Sequence, residues 1–266
     1  MTHQMKLSVG IVTYNNIEII GDTLNSLVEN IPAELAPQII IYDNASSDGT
    51  PECITGLSQK SGKIRLVAGR ENLGFGAAHN RILEQVEAPY HMICNPDIIM
   101  HPGAAERLLE MLESDERIAV ATPKFLNPDG TVQRLNHPHP TIFDLFLRRF
   151  APRFLRERFR ERIQRYNMNH MGYDTTYDLD FASGALMACR TEALRDVGGF
   201  DPRYFLYFED ADLSRALQAR GWRCVFCPEA VVTHQWKREA YTNYRGTIRS
   251  LASAFRYFRK WGWQLY

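Results

Sequence analysis

In the first half of the chain short continuous apolar runs alternate with polar loops and with stretches where apolar residues recur every three or four positions. Residues 6–13 (KLSVGIVT) read as a strand, closed by the turn formers Tyr14, Asn15 and Asn16. Ile17, Ile20, Leu24, Leu27 and Ile31 then mark one face of a helix that Pro32 ends. Residues 38–42 (QIIIY) are apolar without alternation, as in a parallel strand buried on both faces. The polar loop 43–50 (DNASSDGT) follows, with a helix from Pro51. The unit recurs as strand 64–67, loop 69–76, helix 77–86 and strand 90–94, then helix 103–112 and strand 118–121. Helices between strands predict right-handed crossovers and a largely parallel sheet. The loops containing Thr13, Asp43, Asn72 and Asp97 would then gather at one edge, where open α/β sheets bind ligands.

Past residue 127 the pattern gives way to loop with Pro and His, then to a basic aromatic segment, 141–166, with eight arginines against three acids. The α/β pattern returns as strand 181–190, helix 191–197, the turn 198–201, helix 209–220 and strand 222–226. A basic aromatic helix is predicted over 244–261.

With 266 residues, 45% of them hydrophobic, the chain can bury an ordinary core. Its formal charge is zero, so no global field selects nucleic acid. No run suggests a signal peptide or a membrane span, and a cytoplasmic protein is expected. The five cysteines stand in apolar contexts and read as free thiols, including the pair Cys224 and Cys227.

Several polar residues could carry chemistry. Asp43 and Asp48 follow a buried strand, where a carboxylate can accept from a base or ribose; the plainer reading is an Asx-turn and helix cap. Gly74 and Gly76, between Asn72 and Asn80, could let backbone approach a ligand or simply make a turn. Asp97 supplies one carboxylate to a metal whose other ligands would include a diphosphate, water and one more side chain, with His234 as the candidate. Glu209 and Asp210, beside the aromatic run 205–208, stand where an apolar setting raises a carboxyl pKa and makes a general base.

Six motifs occur in order: Thr13-Tyr14-Asn15, 43–50 (DNASSDGT), 72–80 (NLGFGAAHN), Asn95-Pro96-Asp97, 198–201 (GGFD) and 207–213 (YFEDADL). Together they resemble the family 2 inverting glycosyltransferases of GT-A fold, a Rossmann-like, mainly parallel sheet flanked by helices. The likeness runs over residues 6–235 and, through 95–100 (NPDIIM), leans to the branch that uses dTDP-L-rhamnose. It implies that Thr13 and Asp43 meet the base, that Asp48, Asn72 and Asn80 line the base and ribose site, and that Tyr14, Asn15, Gly74 and Gly76 belong to the same donor-binding site. Asp97 and His234 would bind Mg2+ or Mn2+, and Asp210, with Glu209 beside it, would be the catalytic base. Many relatives have aspartate where this chain has Asn95; that residue mainly contacts ribose, which an amide can also do.

The implied organisation is a catalytic domain, 1–235, with a nucleotide-binding half (1–123) and an acceptor half (124–235) that includes the basic insertion. A basic helical extension, 236–266, follows. The implied reaction moves L-rhamnose to a glycan or polyprenyl-diphosphate-linked saccharide in cell-surface polysaccharide synthesis. A UDP- or GDP-linked sugar is the alternative donor. A nucleotidyltransferase would want a basic Gly-rich loop near the first strand, which is missing, and a non-catalytic module would not need the base, the metal ligand and the histidine. The basic aromatic segments suit an anionic membrane surface, placing the enzyme peripherally at the inner face of the cell membrane; the competing readings are a solvated helix face or a homodimer interface.

Overall fold

The computed structural model describes residues 5–235 and 244–266. One nine-stranded sheet organises them, in the order β3-β2-β1-β4-β8-β6-β9-β5, with β7 (Tyr177–Asp178) also on β9. β1 (Leu7–Thr13), β2 (Gln38–Asp43), β3 (Ile64–Ala68) and β4 (Tyr90–Cys94) are parallel. β8 (Leu186–Arg190) runs antiparallel between β4 and β6 (Ile118–Leu126), and β6 is parallel to β9 (Arg223–His234). The mixed, mainly parallel sheet agrees with expectation.

Alternation within β2 explains its unbroken apolar run. Ile39 and Ile41 pack towards α1 (Ile20–Asn30), α2 (Thr50–Ser61) and α4 (Ala104–Ser114), while Ile40 and Tyr42 pack against α3 (Phe75–Leu83). Further along that second face α8 (Thr191–Asp196) and α9 (Glu209–Ala219) cover Ile93, Val120, Met187 and Phe226.

Several elements differ from expectation: the strand placed at 118–121 runs on to Leu126, and the helix placed at 77–86 spans Phe75–Leu83. The strand placed at 181–190 begins only at Leu186, because Gly184 and Ala185 turn there and Gly184 donates its N–H to the Asp210 carboxylate at 3.0 Å. The strand placed at 222–226 continues through Pro228 to His234, since a register shift opposite Pro123 and Lys124 accommodates the missing N–H. Residues 98–100 form a short strand, β5 (Ile98–Met100), antiparallel to the end of β9, pairing Ile98 with His234. Too short to show a period, it is legible only from its partner. All five cysteines are free, as expected.

The basic segment folds into α5 (Ile142–Arg149), α6 (Arg153–Arg158) and α7 (Arg160–Tyr166). α10 (Tyr244–Trp261) matches its predicted bounds and packs Tyr257 and Phe258 against Tyr204 and Ala211. The start of the expected C-terminal extension, 236–243, and the side chain of Tyr244, counted among its aromatics, lie outside the described residues.

Candidate active site

β1, β2, β4, β6 and β9 all point the same way, so Thr13, Asp43, Asn95 and His234 stand at one sheet edge. β5 runs the other way and brings Asp97, just before its first residue, to that edge too. The turn at Gly184, preceding antiparallel β8, brings in Asp210.

Asp43 is 2% exposed. Its Oδ1 accepts from the hydroxyls of Thr13 (2.9 Å) and Ser46 (2.6 Å), and its Oδ2 from the Ser46 N–H at 2.9 Å. Four lone-pair sites on a carboxylate leave Oδ2 able to accept one more donor. Asn15 takes up a left-handed backbone, φ 56°, donates its N–H to Ser46 Oγ and accepts from the Ser47 N–H. Tyr14 beside it is exposed. Asn44, to which sequence reading gave no role, ties this loop to the next. Its Oδ1 accepts from the Leu73 N–H and its Nδ2 donates to the Gly74 carbonyl.

Three residues expected at the base and ribose are engaged within the protein. Asp48 accepts from the Thr50 hydroxyl and N–H and from the Ile17 N–H. Desolvation opposes its charge, but these donors win and hold its carboxyl below the ordinary value. The plainer Asx-turn reading describes its contacts. Asn72 accepts from the Gly74 N–H in a similar turn. Asn80 lies inside α3, where its amide donates to the Phe200 carbonyl at 2.7 Å and accepts from the Phe200 N–H at 2.9 Å. Both ends of that amide serve to clamp the two halves of the chain.

The two glycines make close approaches, but to the chain itself. A Cβ on Gly74 would meet the Phe205 carbonyl oxygen at 2.2 Å, and one on Gly76 would meet Phe200 Cβ at 2.8 Å. The Phe75 N–H donates to the same Phe205 carbonyl. The loop 72–76 is thereby latched to the segment that carries the acidic pair. There Tyr207 and Phe208 both have φ of 70°, a conformation bulky side chains rarely adopt.

Asp210 accepts from two backbone N–H groups, Gly184 at Oδ2 and Ala211 at Oδ1. Burial raises its pKa even against these donors. Glu209 is 5% exposed, its Oε2 has no hydrogen-bond partner, and burial, then the neighbouring Asp210, pushes its pKa well above the ordinary value. Burial thus holds both carboxyls above their ordinary values. Glu209, expected to share the catalytic role, is the more deeply buried of the two.

Asp97 Oδ1 is buried, accepts no hydrogen bond and lies 3.3 Å from His234 Nε2. His234 Nδ1 is 2.6 Å from Gln133 Oε1, and Gln133 Nε2 donates to Asn127 Oδ1. This contact turns Nε2 towards Asp97. Asp97 and His234, the histidine oriented through its other nitrogen, are the pair of side chains here that could hold a cation. Sequence reading missed Gln133, which nothing in its flanks distinguishes. Among the described residues no third histidine, cysteine or carboxylate joins the pair. The Asn95 side chain makes no hydrogen bond among the described residues, and its backbone N–H donates to the Ala185 carbonyl.

Asp43, Asn95, Asp97, Asp210 and His234 are thus gathered at one edge of a mixed sheet flanked by helices. Residues 8–198 match the profile of glycosyl transferase family 2, and residues 144–265 that of glycosyl transferase family group 2. The chain belongs to glycosyl transferase family 2. It is 29% identical over 245 residues to the N-acetylglucosaminyl-diphospho-decaprenol L-rhamnosyltransferase of Mycobacterium tuberculosis, covering 86% of this chain and 75% of the relative. It is 25% identical to rhamnosyltransferase WbbL of Escherichia coli, covering 90% of this chain and 89% of the relative. Among solved structures, GalNAc-T7 with UDP, GalNAc and Mn2+ superposes with a TM-score of 0.68 at 15% identity, covering 88% of this chain and 44% of that one. The mannosyltransferase PcManGT from Pyrobaculum calidifontis, with GDP-Man and Mn2+, gives 0.65 at 18% identity, covering 96% and 65%. The chain therefore spans less than two thirds of either solved protein, and they share its fold.

Proposed function

We propose that this glycosyltransferase moves L-rhamnose from dTDP-L-rhamnose, with inversion, to a saccharide carried on polyprenyl diphosphate in bacterial cell-surface polysaccharide synthesis. The relatives above, one of them named for rhamnosyl transfer to N-acetylglucosaminyl-diphospho-decaprenol, support the sugar and the kind of acceptor. The observation that carries the chemistry is Asp210, a half-buried carboxylate fixed by two N–H donors with a raised pKa.

Each Asp210 oxygen keeps a second lone pair to take a proton. As the acceptor's O–H bond breaks, its proton passes to Asp210 and its oxygen bonds to the anomeric carbon. The bond from that carbon to the diphosphate breaks on the opposite side, and the electron pair leaves on the phosphate oxygen. Asp43, held by Thr13 and Ser46, is the base-facing acceptor, with Tyr14 and Asn15 beside it, and the Asn95 amide is the ribose contact. Asp48, Asn72, Gly74, Gly76 and Asn80 brace that cleft. Asp97 and His234 would hold Mg2+ or Mn2+ against the diphosphate, where the ion's charge stabilises the leaving group.

General-base catalysis contributes about 10² to 10⁴ in rate. Asp210→Asn should therefore lower turnover by that order and leave the donor Kd unchanged. A screen of nucleotide sugars for acceptor-dependent release of nucleoside diphosphate, with this variant as control, should single out dTDP-L-rhamnose. Release from a UDP- or GDP-sugar alone would overturn the donor, and undiminished turnover in the variant would overturn the base.

A further inference from the structure

Nine of the thirteen large apolar side chains exposed among the described residues fall in two stretches, 146–154 and 248–266. Such clustering differs from the scattered exposure of ordinary surfaces. On α5, α6 and the turn between them the exposed residues are Phe146, Phe150 and Phe154, the last 67% exposed; on α10 they are Ile248, Leu251 and Phe255, the last 55% exposed. The others lie in residues 263–266.

The two rows adjoin. Arg149 Nη2 donates to the Thr247 hydroxyl at 2.6 Å, and the N–H groups of Ile142 and Phe143 donate to the carbonyls of Gln264 and Leu265. Spacing along α10 separates its two faces. Ser253, Tyr257 and Phe258 turn inward, while Ile248, Leu251 and Phe255 recur three and four apart on the exposed side.

Charge identifies what covers this ridge. The chain as a whole is neutral, yet residues 244–266 hold five basic residues and no acid, and residues 141–166 hold eight arginines against three acids. Some of these arginines serve the fold: Arg162 pairs with buried Asp144, and Arg148 stacks on Tyr166. Others flank the apolar rows and are exposed, among them Arg158, Arg256 and Arg259, and Arg153, which also pairs with Glu157 at 3.0 Å. A second copy of this chain would bring like charges together over the ridge. A bilayer with anionic headgroups over apolar chains matches both properties at once.

We propose that this ridge is the surface by which the enzyme docks on an anionic lipid bilayer, with α10 and α5–α6 lying in the headgroup plane. α10 also packs on the segment leading to the acidic pair, through Ser253 Oγ to the Leu206 carbonyl and Arg249 over the Phe205 ring. Docking would bring the mouth of the site to the membrane, where a polyprenyl-linked acceptor resides. The docking surface itself stands independently of the donor and acceptor proposed above.

The test is co-sedimentation of the full chain with vesicles of phosphatidylcholine alone or with 30% (roughly) phosphatidylglycerol, at low and high salt. The parent should bind the anionic vesicles and release them in salt. The triple variant Ile248→Ser, Phe154→Ser and Phe255→Ser, and separately Arg153→Glu with Arg256→Glu, should each partition about tenfold or more weakly. Circular dichroism and calorimetric dTDP binding should match the parent in both variants, showing an intact fold and site. No vesicle binding by the parent, or equal binding by either variant, overturns the proposal. So does a parent dimer, seen by ultracentrifugation without vesicles, that the triple substitution turns into monomer.

Discussion

Asp97, His234 and Gln133 show how a site can be half readable residue by residue. Asp97 follows an apolar strand and His234 ends another, so both could be singled out. Gln133 lies in a loop that gives no periodic signal, yet its Oε1 decides which imidazole nitrogen faces Asp97. Histidines lacking such an outer partner bind metal about 10- to 100-fold more weakly. Gln133→Ala should raise the Kd for Mn2+, measured by calorimetry in the presence of dTDP, by that order, with little change in dTDP binding without metal. Glu209 gives a prediction of opposite kind. Its ordinary value is 4.5 and the folded state holds it well above that, chiefly by burial. The native state thus retains a proton the unfolded chain gives up, so Glu209 lowers stability progressively as pH rises above 4.5. Glu209→Gln keeps the shape and removes the titration. Its melting temperature should exceed the parent's at pH 7 and coincide with it near pH 4.

At the scale of elements, β1 to β4 and their helices are legible because local period and tertiary burial agree, as in the two-sided β2. What escaped were elements set by distant partners. β5 exists because Ile98 finds His234, and β9 passes through Pro228 because a register shift with β6 absorbs it. The turn at Gly184 looked like strand interior, although Ser183-Gly184 within an apolar run is itself a breaker signal. Likewise the glycines of loop 72–76 were visible, but the surface they approach, Phe205 and Phe200, lies over a hundred residues away in the chain. Gly74 has φ of 84° and no room for a Cβ beside the Phe205 carbonyl. Gly74→Ala should therefore cost about 2 kcal/mol or more, from backbone strain and the clash together. Because that carbonyl belongs to the segment preceding Asp210, kcat should fall more than stability alone explains. A denaturant titration paired with turnover on the folded fraction separates the two effects.

At the scale of the molecule, the nucleotide-binding and acceptor halves read from sequence share one sheet, with β8 inserted between β4 and β6 and β5 attached to β9. The acceptor half supplies Asp210 and His234, while the first half supplies Asp43 and Asp97, so the site exists only where the halves meet. The described part of the C-terminal extension is built into the same body. Buried Asp212, two residues past Asp210 on α9, accepts from Lys260 Nζ at 2.7 Å, from Trp261 Nε1 at 2.7 Å and from the Tyr204 hydroxyl at 3.2 Å. The motif 207–213 thus carries three acids, of which Asp210 holds the Gly184 turn and Asp212 anchors α10. Removing one partner of a buried pair leaves the others desolvated and unpaired, a loss of about 3 kcal/mol. Asp212→Ala should show that loss in chemical denaturation. Asp212→Asn, which can still accept from Trp261, should lose less. If α10 holds the Tyr207–Phe208 segment in its strained form, both variants should also lower kcat in the order of their destabilisation, with the dTDP Kd unchanged because Asp43 and its loop lie on the other half of the sheet.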